Sequence, residues 1–158
     1  MKKTLLFALA IALVNCGEGP KKEESKGFEM SRATTKAATK EAVSVPVDLN
    51  NKGIGPISSY SFSTNIDTGL SEQGKGLYNS KCTACHMANQ RMIGPALSGV
   101  YDRRSPEWVL NLLLNTDEML KKDPISIALL KEHNNAIMNN QNLSEQEAKA
   151  VAEYLRTL

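Results

Sequence analysis

This sequence has little net charge and no long apolar run. Its 158 residues carry 19 Lys and Arg against 17 Asp and Glu, a formal net charge of +2. No basic stripe can be traced, so nucleic acid is not an expected partner. The longest apolar run, Leu5–Val14, is too short to cross a bilayer as a helix. Its position at the N-terminus instead fits the apolar core of a signal peptide.

The N-terminus has the pattern of an export signal. Lys2 and Lys3 precede the apolar run, as in the basic region of a signal peptide. The run ends in LVNC, residues 13–16, which resembles a bacterial lipoprotein signal cleaved just before a cysteine that carries lipid. Asn15 departs from the usual Gly, Ala or Ser, so plain secretion into the periplasm is the alternative. We predict a lipoprotein-type signal peptide over residues 1–15 and a lipid on Cys16. Several acyl chains on one residue would anchor the protein stably to the periplasmic side of a membrane.

Cysteine is scarce as well, and its count agrees with a lipid on Cys16. The chain has three cysteines, and an odd number in an exported protein requires an explanation. If Cys16 carries lipid, Cys82 and Cys85 remain and no thiol is left over.

Those two cysteines lie in KCTACHM, residues 81–87. The spacing C-x-x-C-H is the attachment pattern of c-type haem. The thiols of Cys82 and Cys85 add to the two vinyl groups of the porphyrin, and His86 is then placed on the iron as the proximal ligand. A redox dithiol would need a strand–helix–strand context, and a zinc site would need a second Cys or His pair. Neither pattern follows here, so one covalent haem c is the expected cofactor.

The chain divides into a tail and one small domain. Residues 16–65 are polar, charged or rich in Gly, Pro, Ser and Asn, and contain few large apolar residues. Such a composition predicts a lipid-anchored flexible linker, although the stretch from 53 to 65 has packing on the domain as its alternative. Residues 66–158 change pattern and are predicted to form the folded domain.

Four helix starts can be identified in residues 66–158. The second, third and fourth begin with a capping residue, and the second and third also have proline at the first helical position. The fourth has the S-x-x-E capping box. The four starts are at Ser71, Ser105-Pro106, Asp123-Pro124 and Ser144. No run alternates convincingly between apolar and polar residues. We therefore predict an all-α domain of about four helices, small enough for a cofactor to matter to its stability.

Residues 67–158 resemble the small class I cytochromes c. Gly74, Leu77 and Tyr78 correspond to the family's first helix, GPAL (residues 94–97) to its G-P-x-L segment, and residues 144–155 to its terminal helix, which crosses the first. The resemblance implies a class I cytochrome c fold around one covalent haem. It also implies that the carbonyl of Pro95 accepts a hydrogen bond from His86, fixing the ring and its tautomer.

The resemblance also implies a sixth iron ligand on a loop shortly before the terminal helix. Met138 lies there and is the predicted distal ligand, although Asn139 stands where the family usually has proline. His133 is the alternative, together with an open site. Met87, Met92 and Met119 are less suitable, because the first two lie on the proximal side and the third follows the Trp108 helix.

Weaker roles around the haem are predicted for four further residues. Trp108 is predicted to pack against the porphyrin, and Trp108, Tyr101, Arg103 and Arg104 are candidate partners for the haem propionates, since Arg suits carboxylates. A solvated arginine pair is an equally good interpretation.

The expected function is transfer of single electrons between membrane-side or periplasmic redox proteins, without an enzymatic activity of its own. Two alternatives remain open. Residues 106–156 look like small cytochromes that accompany nitrous-oxide reductase, which suggests a dedicated electron-donor subunit of a periplasmic reductase. A labile sixth ligand would instead suggest a haem protein that reacts with a gas or peroxide.

Overall fold

Capping side chains set where the helices begin. The structure, a computed structural model, describes residues 45–158. Within this range there are five α-helices and one short 3₁₀ helix: α1 (Thr68–Lys81), the 3₁₀ helix (Val100–Asp102), α2 (Pro106–Leu114), α3 (Thr116–Lys122), α4 (Pro124–Glu132) and α5 (Glu145–Leu155). No strand occurs in the described part, only an isolated bridge between Asp48 and Arg104. The predicted all-α class is confirmed, with five α-helices where about four were expected.

Three predicted helix starts agree with the structure and one does not. The side chains of Ser105, Asp123 and Ser144 cap α2, α4 and α5, and Ser144 forms the predicted capping box with Glu147. The first helix begins earlier than Ser71, because Asp67 accepts a hydrogen bond of 2.9 Å from the N–H of Leu70. A carboxylate satisfies free N–H groups at a helix start well and also interacts favourably with the helix dipole.

Helix α3 was not predicted. Its seven residues are too few for a clear apolar period. Two acids in its first turn and two lysines in its last suit the helix dipole. Met119, on this helix, is fully buried.

Helices α1 and α5 cross in close contact. A Cβ atom at Gly74 of α1 would overlap the backbone carbonyl of Ala150 in α5. Next to this point, the rings of Tyr78 and Tyr154 pack with centroids 5.2 Å apart. The crossing predicted between the first and last helices is therefore present, and its closest point requires glycine.

Residues 45–65, here called the N-terminal segment, pack on the helices. The alternative of packing was given for residues 53–65, and their contacts agree with it; residues 45–52, assigned to the linker, pack on the domain as well. Ile57 is buried, and its N–H donates to Oδ1 of Asn111 at 2.9 Å. The Asn111 amide donates in turn to the carbonyls of Lys52 and Ile57, at 2.8 and 2.9 Å. Polar side chains of α2 bind this segment, so its contact with the domain leaves no apolar pattern in the sequence.

The signal peptide of residues 1–15, the lipid site Cys16 and the rest of the predicted linker lie outside the described residues. Of the described helices, none is both long and apolar enough to cross a membrane.

A buried carboxylate joins the N-terminal segment, α2 and α4. Asp123 accepts hydrogen bonds from Trp108 Nε1 at 3.0 Å, from the Asn51 amide at 2.7 Å and from the N–H of Ser126 at 2.7 Å. Burial by itself would raise the pKa of Asp123, but these three donors outweigh it and hold the pKa below its ordinary value.

We expect Asp123 to contribute to acid unfolding. Because its folded pKa is lowered, its stabilisation is present above the unfolded pKa, about 3.9, and is lost as pH falls through the folded pKa. In Asp123→Asn, the free energy of unfolding should vary less with pH below about 5. Urea unfolding of the haem-loaded protein from pH 3 to 7 would measure this, with the exposed Asp117→Asn as control. A slope equal to wild type in Asp123→Asn would contradict the assignment.

Candidate functional site

A cleft of about 200 Å³ brings the predicted site residues together. Its walls come from the end of α1, the loop after it, α2, α4, the loop before α5, and α5. The predicted residues that line it are Cys82, Cys85, His86, Pro95, Trp108 and Met138. Most of the remaining wall is aliphatic, as a porphyrin ring requires.

The two cysteines lie on a helical turn that continues α1. The N–H of Cys82 donates to the carbonyl of Tyr78, and the N–H groups of Cys85 and His86 both donate to the carbonyl of Cys82. Cys82 is half-buried and Cys85 is exposed. Burial raises the pKa of Cys82 above its ordinary value. The turn thus presents two thiols and one imidazole to the same cleft.

The His86 ring is held in one orientation. Its Nδ1 lies 3.0 Å from the carbonyl oxygen of Pro95, the predicted bond. Because a carbonyl can only accept, Nδ1 carries the proton and Nε2 keeps its lone pair. A Cβ atom at Gly94 would overlap the ring, so glycine is needed for this approach. Burial lowers the pKa of His86 and the hydrogen bond to Pro95 only partly opposes it, which favours the neutral ring that metal ions bind.

Of the four methionines in residues 45–158, Met138 is the one that lines the cleft. Met87 is exposed, and its sulfur accepts from the Gln90 amide. Met119 is fully buried elsewhere, where its Sδ accepts from the N–H of Ile54 at 3.0 Å. His133, the alternative ligand, is also in the wall.

Two candidate propionate donors are already engaged. The Trp108 indole lines the cleft, but its N–H donates to Asp123. The Tyr101 hydroxyl donates to the carbonyl of Ala152 at 2.9 Å. Both groups therefore donate to acceptors within the protein, and hydrogen bonds from them to propionates stay a prediction. Arg103 and Arg104 do line the cleft, although each also donates to backbone carbonyls.

Ser126 was missed by sequence reasoning. Its hydroxyl is buried and has no hydrogen-bond partner in the described part of the chain, and the residue lines the cleft. A serine three residues after the Asp123 cap looks like ordinary helix sequence, so no signal distinguished it. The thiols, the oriented imidazole and the aliphatic walls make the residues present suitable for haem c.

No cluster of three or more His, Cys, Asp or Glu side chains is arranged to hold a metal ion within residues 45–158.

An all-α domain whose cleft gathers a C-x-x-C-H turn and a methionine defines a haem-binding electron carrier. A scan against family models agrees, since the cytochrome c model matches residues 71–158. The chain belongs to the cytochrome c family, with class I architecture and covalent haem c as its cofactor.

Solved structures give the same result. A cytochrome c from Rhodothermus marinus is 41% identical, with a TM-score of 0.62 over 65% of this chain and 88% of that one. An engineered cytochrome c from the same organism is 40% identical, with a TM-score of 0.62 over 65% and 89% of the two chains. A further engineered form, bound to a carbene intermediate, is 40% identical, with a TM-score of 0.59 over 65% and 88%. No curated protein matches the chain.

Proposed function

We propose that this protein carries single electrons between redox proteins on the periplasmic side of a bacterial membrane. Cys82 and Cys85 would attach the haem, His86 would be the proximal ligand and Met138 the distal one. The observation that supports this is the cleft itself, since all four side chains line it. The family supports the carrier class, and the proposal adds the ligand set and the partners.

The residues of the chain would hold the haem as follows. Cys82 and Cys85 would each add across one vinyl double bond, with sulfur bonding to one carbon and the thiol proton ending on the other. His86 offers Nε2 because Pro95 holds Nδ1. Haem c, when bound, supplies one-electron redox chemistry at its iron. The aliphatic walls exclude water, and a thioether at the sixth position favours the reduced state.

The place of action rests on the N-terminal pattern. A signal peptide over residues 1–15 would deliver the chain to the compartment where haem c is attached, and a lipid on Cys16 would keep it at the membrane. The donor and acceptor would be redox proteins reached from that surface.

A second candidate function is binding of a small ligand at the sixth position. Met138 is only half-buried, on a loop that contains three asparagines with left-handed backbone, Asn134, Asn135 and Asn142. An engineered R. marinus relative is bound to a carbene intermediate. A loop that released Met138 would leave room for such a ligand.

The decisive test is the visible absorption spectrum of the haem-loaded protein. Wild type should give a low-spin c-type spectrum with a methionine-to-iron charge-transfer band in the oxidised state. Met138→Leu should lose the band, acquire a lower reduction potential and bind carbon monoxide readily when reduced, because the soft sulfur ligand is gone.

Met92→Leu is the matched control, since Met92 is also half-buried but does not line the cleft. It should keep the band. A band that survives in Met138→Leu would reject the distal assignment, and a wild-type protein without the band that binds carbon monoxide would favour the second candidate function.

A further inference from the structure

The two loops that carry the proposed iron ligands are joined by direct contacts. The proximal loop, residues 86–97, contains His86 and Pro95. The ligand loop, residues 133–143, contains Met138. His133 Nδ1 lies 3.0 Å from the carbonyl oxygen of Ile93. Arg91 reaches the last residue of α4, just before this loop: its Nη2 donates to the carbonyl of Glu132 at 2.5 Å, and its Nη1 lies 3.9 Å from the Glu132 carboxylate.

The contacts meet where the proximal ligand is also held. The carbonyl of Ile93 accepts from His133, and the carbonyl of Pro95, two residues later, accepts from His86. One short stretch of backbone therefore orients both histidines of the chain. His133 is 6% exposed and lines the cleft, so its hydrogen bond is protected from competing water.

The middle of the ligand loop has little else to hold it. Residues 136–140, within the described structure, make hydrogen bonds only to the loop's own residues. The far end is fixed by the buried Leu143 and by Lys81, which donates to the carbonyl of Gln141 at 3.3 Å. The near end is held to α4 by backbone hydrogen bonds of Asn134 and Asn135, and to the proximal loop by His133 and Arg91. Losing the contacts of His133 and Arg91 would free the ligand loop from the proximal loop while it stays attached to α4.

We propose that His133, assisted by Arg91, is a latch that keeps the ligand loop closed and Met138 on the iron. His133 is in this view a positioning residue, and the latch decides between the two candidate functions given above. Closed, the protein is a six-coordinate carrier; open, its sixth position accepts a small neutral ligand. This inference rests on the proposed ligand set.

Binding of carbon monoxide and of added imidazole by the haem-loaded full-length protein tests the latch. In His133→Ala, the imidazole concentration that removes half of the charge-transfer band should fall about tenfold, and carbon monoxide affinity of the reduced protein should rise by a similar factor, the scale of one lost buried hydrogen bond. Arg91→Ala, a surface change, should shift both in the same direction by less, because its contacts are exposed.

His133→Asn is the conservative variant. An asparagine amide can place a donor near the position of Nδ1, so this variant should restore much of the wild-type resistance to imidazole. Lys131→Ala, an exposed change at the end of α4 that does not line the cleft, should behave as wild type.

The outcomes separate the latch from the ligand assignment. If His133→Ala lowers the unfolding temperature but leaves imidazole and carbon monoxide binding unchanged, His133 is only structural and the latch is overturned. If wild type lacks the band, or Met138→Leu keeps it, the ligand assignment fails and the latch fails with it. If His133→Ala does not fold, ligand binding in Arg91→Ala equal to that of wild type also overturns the latch.

Discussion

Replacing Gly74 with alanine is expected to destabilise the domain by about 3 kcal/mol or more. The added methyl group would overlap the backbone carbonyl of Ala150 and approach the Tyr154 side chain to 3.0 Å. A carbonyl in a helix cannot turn aside, so α1 and α5 would have to separate. Tyr78, Val151 and Leu155 are buried at or near this crossing, so their packing would loosen together.

Gly76→Ala provides the matched control in the same helix. Gly76 is exposed, and a Cβ atom there meets nothing within 4 Å. Alanine is a better helix former by about 1 kcal/mol, so this variant should be slightly more stable than wild type. Urea unfolding followed by circular dichroism would measure both. Equal effects of the two substitutions would mean that the close crossing does not limit stability.

Separation of α1 from α5 would also reach the haem cleft. Cys82 follows α1 directly, and Val151 and Leu155 of α5 line the cleft. We therefore expect Gly74→Ala to lower the yield of covalently attached haem, whereas Gly76→Ala should leave it unchanged.

The parts of the fold that could be predicted depend on contacts between residues close together in the sequence. Ser105, Asp123 and Ser144 cap helices by contacts with residues three positions away, so sequence alone showed them. The C-x-x-C-H turn is equally local. The bond from His86 to Pro95 spans nine residues and was available only through the family resemblance.

The parts that could not be predicted depend on contacts between distant residues. Asn111 binds Ile57 across 54 positions, and Trp108 gives its N–H to Asp123, 15 positions away. A single buried asparagine leaves no periodic pattern in the sequence. The sequence around a tryptophan likewise does not show which acceptor its N–H will meet. His133 was considered as an iron ligand, while its contact with Ile93, 40 positions away, could not be seen.

The N-terminal segment matters to the site because α2 lies between them. Gly53 and Gly55 approach α2 and α3 on one side, against Met119 and Asn111. Helix α2 also contributes Trp108, Val109, Leu112 and Leu113 to the cleft. A wall of the haem site is therefore held in place by residues that sequence composition placed in a linker.

Asn111→Leu is expected to cost about 3–5 kcal/mol and to release the N-terminal segment. Leucine has a similar size but makes none of the three hydrogen bonds with Lys52 and Ile57. Their buried N–H and carbonyl groups would lose their partners. Urea unfolding would give the stability, and limited proteolysis within residues 45–65 would report release. Asn79→Leu, exposed on α1, is the control and should change neither.

A second substitution shows whether the effect belongs to this contact. A Cβ atom at Gly55 would overlap Oδ1 of Asn111, so Gly55→Ala disrupts the same contact from the segment's side. If both variants act through it, the double variant should lose much less stability than the sum of the single losses, because the contact can be broken only once. Additive losses, or a segment that remains protected from protease in Asn111→Leu, would show that Asn111 does not hold it. If the two stability losses are coupled and the haem spectrum of these variants also shifts, the segment supports the cleft through α2 as well.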